Sequence, residues 1–222
     1  YVICLNSGTS ALHLSLKSLN IKKDEEVIIS SLTFVSPINS ILYNNSIPVF
    51  MDCDKYCNID IDKTISFIKN ETHTKIIKNK KITFNKKTKR KIAAIIVVHI
   101  FGNSANISEL IKICKNKNIK IIEDAAESFG SYHINNKKIK HLGTIGDVGC
   151  ISFNGNKIIT SGGGGAIVTN NKKIYETVKH ISNQSKTDVN YFKHDQVGYN
   201  YRITNLQSAI GLAQIEKINK FI

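Results

Sequence analysis

Short apolar runs alternate with helix-like patterns along most of the chain. In the runs almost every position is apolar, whereas the segments between them carry apolar residues every three or four positions. The predicted strands are Val2–Leu5, Glu26–Ser30, Pro48–Asp52, Ile92–Val98, Lys120–Glu123, Val148–Phe153 and Ala166–Thr169. The predicted helices are Ser10–Leu19, Val35–Tyr43, Ile61–Ile68, Ile107–Asn116 and Lys172–Ile181. Apolar strands separated by helices are typical of a mostly parallel central sheet covered on both faces, so we predict a three-layer α/β/α fold.

Two segments depart from this alternation. Glu71–Lys91 is polar and rich in lysine, which indicates an insertion or a hairpin between two α/β units. Asn205–Ile222 has the pattern of an amphipathic helix. The chain begins with Tyr1 in what reads as a strand already under way, so we expect it to be a piece of a longer protein.

Composition narrows the possible partners. The net charge is +14, but only Arg90 and Arg202 of the 31 basic residues are arginine, and the lysines are spread along the chain. Since recognition of bases and phosphates favours arginine forks, we expect no nucleic-acid partner. The longest apolar run, Ala93–Phe101, is far shorter than the roughly 20 residues that span a bilayer, so we expect no membrane partner.

The five cysteines are odd in number and form no CxxC pair, and the seven histidines are dispersed. Free cysteines in apolar surroundings behave as small hydrophobic residues. We therefore expect a reducing, cytoplasmic setting and no metal site.

The segment Ser152–Gly165 carries the most informative chemistry. Lys157 lies between an apolar strand and four consecutive glycines. A lysine amine in such a place is a candidate nucleophile that forms a Schiff base with a carbonyl substrate or with pyridoxal phosphate. It is equally consistent with a lysine that reaches solvent beside a flexible turn, and this segment alone leaves both interpretations open.

The start of the first helix has the composition of a phosphate site. Gly8 permits close approach of the backbone, and the hydroxyls of Thr9 and Ser10 join the N–H groups of a helix N-terminus. The hydroxyl of Ser152 is a candidate for the same phosphate. An ordinary Ser/Thr helix cap would have the same sequence.

Two further segments offer ligand-binding side chains. Asp124 and Glu127 follow a very apolar strand, at the edge where ligands bind in parallel sheets. A carboxylate there would pair with a cationic ring nitrogen such as a pyridinium, or would simply favour a helix N-terminus. Phe34 follows the second strand, where it either stacks on a planar cofactor or belongs to the core.

Taken in chain order, these elements resemble a fold-type I enzyme that uses pyridoxal phosphate. More narrowly, the chain is similar to the DegT/DnrJ/EryC1/StrS family of nucleotide-sugar aminotransferases. The matching segments cover essentially the whole chain and are SGTSALHLSL, IPVFMD, EDAAESFGS, GDVGCISFNGNKIITSGGGGAIVT and GYNYRITNLQSAIGLAQ. The form NGNKIITSGGGG and the long Asn/Lys loop most resemble the LegC branch, which is associated with amino sugars of the bacillosamine and legionaminic acid type.

The resemblance implies that residues 1–222 are the large domain, with residues 71–91 as an insertion. A leading segment and a C-terminal small domain would lie outside them. Lys157 would be the catalytic lysine that carries the cofactor, and Glu127 would lie near the ring hydroxyl, where many relatives have glutamine or histidine. The other implied cofactor contacts are Asp124 on the ring nitrogen, Phe34 on the ring face, Gly8, Thr9, Ser10 and Ser152 on the phosphate, and Asn200 from the partner subunit of a homodimer.

The implied reaction moves an amino group from glutamate to a nucleotide-linked 4-keto-6-deoxy sugar, for surface-glycan biosynthesis. The product would be of the UDP-4-amino-4,6-dideoxy-N-acetylglucosamine type. One alternative is a sugar dehydratase that uses the same cofactor, although those relatives have histidine in place of Lys157. Another is a non-catalytic relative with a binding or regulatory role.

Overall fold

The computed structural model describes residues 1–135, 138–188 and 190–222. The strands are β1 Val2–Leu5, β2 Glu26–Ser30, β3 Ile47–Met51, β4 Thr72–Ile77, β5 Lys80–Asn85, β6 Ile92–Val98, β7 Lys120–Asp124, β8 Tyr132–Asn135, β9 Lys138–His141, β10 Val148–Ser152, β11 Gly165–Val168, β12 Lys186–Asp188 and β13 Lys193–His194. The α-helices are α1 Gly8–Ser18, α2 Val35–Tyr43, α3 Ile61–Asn70, α4 Ser108–Lys117, α5 Lys172–Ser182 and α6 Asn205–Ile215. Each predicted strand and helix of the α/β alternation is present within two residues of its predicted ends.

The central sheet has the strand order β1-β11-β10-β7-β6-β2-β3. The five strands from β10 to β3 are mutually parallel, whereas β11 is antiparallel to both of its neighbours. The mostly parallel sheet predicted from the apolar runs is therefore confirmed. The carboxyl ends of β6, β7 and β10 consequently lie side by side at one edge.

Helices cover both faces of this sheet. The side chains of β6 therefore pack in two hydrophobic cores, one on each face. Ala94 and Ile96 pack on the face covered by α1 and α5, whereas Ile95 and Val97 pack on the face covered by α3 and α4. Successive side chains of a strand point to opposite faces, so a strand buried on both faces must be apolar throughout. All seven residues of β6 are buried, which explains the unbroken apolar run in the sequence.

The polar insertion forms an antiparallel hairpin of β4 and β5, with Thr72 opposite Asn85 and Ile77 opposite Lys80. The β8/β9 and β12/β13 hairpins were not predicted, because their strands are only two to four residues long. The predicted helix Asn205–Ile222 is too long. The α-helix ends at Ile215, and a 3₁₀ turn follows at Ile218–Lys220, where N–H groups bond to carbonyls three residues back.

Candidate active site

Lys157 lies on the loop that connects the antiparallel strands β10 and β11. The base of this loop is closed by two backbone bonds, from Phe153 N–H to Gly164 O (2.9 Å) and from Ser161 N–H to Phe153 O (2.9 Å). Within the loop, the Lys157 N–H bonds to Asn154 O at 3.0 Å and forms a turn. The Lys157 side chain is only 16% exposed, so its amine is held against the protein and does not extend into solvent.

The partner of that amine is Glu127. Nζ of Lys157 lies 3.1 Å from Oε1 of Glu127, and Oε2 of the same carboxylate accepts the N–H of Phe101 at 3.0 Å. Phe101 has a φ of 52°, a left-handed conformation that is uncommon for a residue other than glycine. The Ile100–Gly102 turn thus presents a backbone donor that fixes the carboxylate beside Lys157.

Asp124 ends β7 at the carboxyl edge of the sheet. Its side chain is buried, and its Oδ1 accepts the Ala126 N–H at 3.1 Å. Burial raises the pKa of Asp124 to about 6, against the lowering effects of the Ala126 N–H and of the electrostatic interactions with His99 and Lys157. Its own chain therefore stabilises the Asp124 carboxylate poorly, and a cation brought to it would be bound favourably.

The preceding residue, Glu123, has a different role, because it points to the other face of β7. Its buried carboxylate accepts hydrogen bonds from His99 Nε2 (3.0 Å), Gly143 N–H (3.0 Å), Ile145 N–H (2.6 Å) and Gly146 N–H (2.6 Å). Burial alone would raise the pKa of Glu123, but these hydrogen bonds outweigh it and hold the pKa below its usual value. Glu123 thus ties β7 to the 143–146 loop, a role that no sequence motif indicated.

The predicted phosphate loop is an ordered helix N-terminus. Ser7 caps α1 by accepting the Ser10 N–H at 3.0 Å, and Ser10 Oγ donates to Asn6 Oδ1 at 2.6 Å. Ser152 at the end of β10 lies directly against this loop, since a Cβ added to Gly8 would be 3.0 Å from Ser152 Cβ. The structure therefore places Ser152 against Gly8 at the start of α1, and the binding of a phosphate by Gly8, Thr9, Ser10 and Ser152 stays a prediction.

The start of α2 adjoins the same loop. Thr9 Oγ1 donates to Ser36 Oγ at 3.0 Å, which connects the first turns of the two helices. Phe34 immediately precedes α2 and is 71% exposed, so it does not belong to the core. The buried hydroxyl of Thr33 beside it has no hydrogen-bond partner among the described residues.

Two of the four consecutive glycines, Gly164 and Gly165, are explained by the backbone path of β11 beside the phosphate loop. A Cβ on Gly165 would lie 2.6 Å from Ser7 O and from Gly8 N, which no side chain could occupy. Gly164 has a φ of 131°, which is accessible only to glycine. β11 can pass directly beside the start of α1 only because these positions lack side chains.

Asn200 also lies near the phosphate loop of its own chain. Asn6 Nδ2 donates to Asn200 O at 3.4 Å, and Asn6 N–H donates to Tyr201 O at 2.8 Å. Asn200 as a residue is exposed. Its binding of a cofactor phosphate across a subunit interface stays a prediction.

Other features of the described residues do not compete with this site. They include no group of three or more His, Cys, Asp or Glu residues placed to hold a metal ion, and no helix long and apolar enough to cross a membrane. A cavity of about 460 Å³ is lined by Asn106, Ser108, Glu109, Lys112, His133 and Ile134. None of these is a predicted site residue, and the chemistry described above lies outside that cavity.

The residues present fit pyridoxal phosphate. Ser10 lies in the first turn of α1, and Ser152 lies against Gly8 at the same helix N-terminus, where the helix dipole and the N–H groups favour an anion. Asp124 is a buried carboxylate suited to a protonated pyridine nitrogen, and Lys157 supplies a sheltered amine for an aldehyde. The three groups have the three chemistries that such a cofactor requires.

Comparisons with known proteins identify a family. The model of the DegT/DnrJ/EryC1/StrS aminotransferase family matches residues 1–222. GDP-perosamine synthase of Escherichia coli O157:H7 is 38% identical over 222 residues, which are 100% of this chain and 55% of that protein. The UDP-4-amino-4,6-dideoxy-N-acetyl-beta-L-altrosamine transaminase of Campylobacter jejuni is 32% identical over 218 residues, covering 97% of this chain and 52% of that one.

Solved structures share the fold. The crystal structure of NtdA from Bacillus subtilis with bound cofactor PMP matches with a TM-score of 0.79 and 25% identity. The match covers 99% of this chain and 45% of that one. The chain therefore spans about half the length of the relatives it matches.

Proposed function

The chain belongs to the DegT/DnrJ/EryC1/StrS aminotransferase family, and on this premise we propose that it forms the cofactor-binding large domain of a nucleotide-sugar aminotransferase. The observation that carries the proposal is the sheltered Lys157 amine, 3.1 Å from Glu127 and close enough to lower the pKa of the buried Asp124 carboxyl by its charge. Ser152 links this group to the α1 N-terminus, because it lies on the strand that leads to Lys157 and also contacts Gly8.

Each side chain has a distinct part in binding the cofactor. Thr9, Ser10 and Ser152 would hold the phosphate at the start of α1, and Asp124 would bind the ring nitrogen. Phe34, which is exposed beside α2, would cover one face of the ring. Asn200 would complete the phosphate site from the second subunit of a homodimer.

Lys157 and Glu127 would act at the reacting end of the site. When bound, pyridoxal phosphate supplies a ring that withdraws electrons and stabilises a carbanion at the substrate carbon. Lys157 Nζ would anchor the cofactor and, once released, take a proton from the substrate carbon and return it. Glu127 would orient Nζ throughout, because its second oxygen is fixed by the Phe101 N–H.

We propose glutamate as the amino donor and a nucleotide-linked 4-keto-6-deoxy sugar as the acceptor. Two relatives support this class, since their names specify a GDP sugar and a UDP amino sugar. A UDP-linked acceptor that yields a 4-amino-4,6-dideoxy-N-acetylglucosamine is our specific proposal, with a cytoplasmic enzyme serving surface-glycan biosynthesis. The presence of Lys157, where the related sugar dehydratases have histidine, disfavours dehydration.

The cofactor site is tested by covalent labelling of the lysine. The protein is incubated with pyridoxal phosphate, reduced with borohydride and digested, and the peptide that carries the phosphopyridoxyl group is identified by mass spectrometry. We expect a yellow solution before reduction and the label on Lys157, with no label at that peptide in Lys157→Ala. Lys173→Ala, which removes an exposed lysine of α5, is the matched control and should label normally at Lys157. A protein that stays colourless with added cofactor would refute the proposal.

The test of the substrate uses glutamate with a panel of GDP-linked and UDP-linked 4-keto-6-deoxy sugars. Loss and return of the cofactor absorption band report the two half-reactions separately. We expect glutamate to discharge the band and a UDP-linked sugar to restore it. If only GDP-linked sugars restore the band, the proposal of an aminotransferase stands and the assignment of a UDP-linked acceptor is overturned.

A further inference from the structure

More than half of the net charge lies in the β4/β5 hairpin and the residues that flank it. Residues 71–91 contain eight lysines, Arg90 and one acidic residue, Glu71, a net charge of +8 in 21 residues (8 + 1 − 1). The whole chain has +14, so the other 201 residues carry only +6. The lysines are therefore not evenly spread, contrary to the impression that the sequence gives at first reading.

The hairpin is anchored at its base and exposed at its tip. Thr72, Thr83 and Asn85 are buried, and Asn85 Nδ2 donates to the buried Glu26 Oε2 at 2.9 Å. Thr83 Oγ1 also donates to Lys117 O on α4 at 2.7 Å. In contrast, every residue from 75 to 81 is exposed. The base is thus part of the domain, and Lys81 is also tied to it, because its Nζ donates to Asn116 Oδ1 at 2.9 Å and its carbonyl accepts Asn118 Nδ2 at 2.8 Å. The exposed side chains of residues 75–80 remain available to another surface.

The tip combines apolar side chains with cations. Ile76 is 74% exposed and Ile77 is 42% exposed, and both lie between Lys75 and Lys78. Across the hairpin, Ile76 is opposite Lys81 and Ile77 is opposite Lys80. Of the nine basic residues in 71–91, only Lys91 forms an ion pair with a carboxylate among the described residues, and it lies at the base. No carboxylate among the described residues therefore neutralises the cations of the tip.

We propose that this hairpin tip, residues 75–81, docks on an anionic lipid surface. Lysines near a negatively charged membrane gain electrostatic attraction, and exposed isoleucines gain by leaving water for the interface. The two contributions add, so a tip that carries both binds more tightly than one that carries either alone. Such a contact is peripheral, and it departs from the expectation of no membrane partner, which rested only on the lack of a long apolar run.

The chemistry of the tip favours lipid over nucleic acid. Single-stranded nucleic acids bind to aromatic side chains that stack on the bases, and residues 75–81 contain none. Arginine, which forks onto phosphates, occurs once in the whole segment, at Arg90. Two adjacent exposed isoleucines contribute nothing to a polyanion but do contribute to an interface with acyl chains.

The experiment measures co-sedimentation of the purified protein with vesicles. One set contains equal parts of phosphatidylcholine and phosphatidylglycerol, and the other contains phosphatidylcholine alone. We expect binding to the first set only, weakened by added salt. Replacing Lys75, Lys78, Lys80 and Lys81 by glutamine should weaken binding at least about a hundredfold. Ile76→Thr with Ile77→Thr should weaken it roughly tenfold while keeping every charge.

The matched control replaces four exposed lysines elsewhere, Lys22, Lys23, Lys173 and Lys179, by glutamine. This variant has the same net charge as the hairpin variant, and it should retain most of the binding. Equal loss in the two lysine variants would overturn the proposal, because it would mean that only total charge matters. No binding to the anionic vesicles, or binding to a homopolymeric RNA that ignores the isoleucine changes, would overturn it as well. Circular dichroism checks that each variant is folded.

Discussion

Two neighbouring carboxylates of β7, Glu123 and Asp124, are both buried but lie in opposite electrostatic environments. Glu123 accepts three backbone N–H groups and the ring N–H of His99, and its pKa is held below its usual value despite burial. Asp124 accepts one backbone N–H, from Ala126, and burial raises its pKa to about 6. The Glu123 carboxylate is therefore fully hydrogen-bonded within the chain, whereas the Asp124 carboxylate has few partners there and is suited to a ligand.

The difference separates structural from ligand-binding carboxylates without reference to any family. A buried charge whose acceptor sites are all occupied rigidifies the fold, whereas a buried charge with few partners destabilises it until a ligand arrives. Such residues persist at functional sites at the expense of stability. If this interpretation is correct, the two residues should respond to substitution with opposite changes in the free energy of unfolding.

The largest effect is expected for Glu123→Ala. The substitution leaves three backbone donors and His99 without their acceptor in a buried region, so the free energy of unfolding should fall by about 3–5 kcal/mol. Urea unfolding at neutral pH measures this change. Glu123→Gln keeps the shape and one acceptor oxygen, and it should lose less.

A loss below about 1 kcal/mol for Glu123→Ala would contradict the structural assignment of this residue. It would mean that water enters this region in solution and replaces the carboxylate as the hydrogen-bond acceptor. The His99→Ala variant then provides a second measurement of the same cluster, since it removes one donor and leaves the three backbone bonds in place.

The second effect has the opposite sign and concerns Asp124→Asn in the cofactor-free protein. The ordinary pKa of Asp124 is 3.8 and the folded value is about 6, so the folded state holds a proton that the unfolded state has lost between these pH values. The contribution of the Asp124 carboxyl to the free energy of unfolding is complete below pH 3.8. It falls by roughly 3 kcal/mol as the pH rises through about 6. The asparagine variant should not show this loss.

Urea unfolding of both proteins from pH 4 to pH 8 tests this expectation. The variant should gain stability over the original above pH 6 and differ little near pH 4. It should also bind pyridoxal phosphate more weakly, because a neutral amide cannot pair with the ring nitrogen. An asparagine variant that is less stable at pH 8 would show that Asp124 is satisfied in the protein, and the contrast with Glu123 would disappear.

The sequence indicated Asp124 and Lys157 because each follows an apolar strand, and a strand end in a parallel sheet is visible in the pattern. It could not indicate the partners of Glu123, because His99 and residues 143–146 are distant along the chain and three of their four donors are backbone N–H groups. The left-handed conformation that fixes Glu127 occurs at Phe101, beside Gly102, and a phenylalanine in the sequence does not indicate such a conformation. The close approach of Gly165 to Ser7 was likewise invisible, since it depends on the register of β11 against the start of α1.

The smallest effect on stability is expected for Glu127→Gln. In its number of hydrogen-bond partners, Glu127 lies between Glu123 and Asp124. Glu127 has two partners, the Lys157 amine and the Phe101 N–H, but its side chain is 37% exposed, so water can replace what is lost. The free energy of unfolding should change by less than about 1 kcal/mol, as for exposed ion pairs.

The rate at which Lys157 captures pyridoxal phosphate should nevertheless fall several-fold, since an amide oxygen holds the amine less firmly than a carboxylate does. Glu176→Gln, on an exposed pair with Lys172, is the matched control and should leave that rate unchanged. Unfolding measured by urea and capture measured by the growth of the cofactor band separate the two roles. A stability loss as large as that of Glu123→Ala would place Glu127 with the structural carboxylates. Glu127 and Lys157 would then mainly stabilise the fold at the carboxyl end of β7. Of the three carboxylates, Asp124 alone would be left for a ligand.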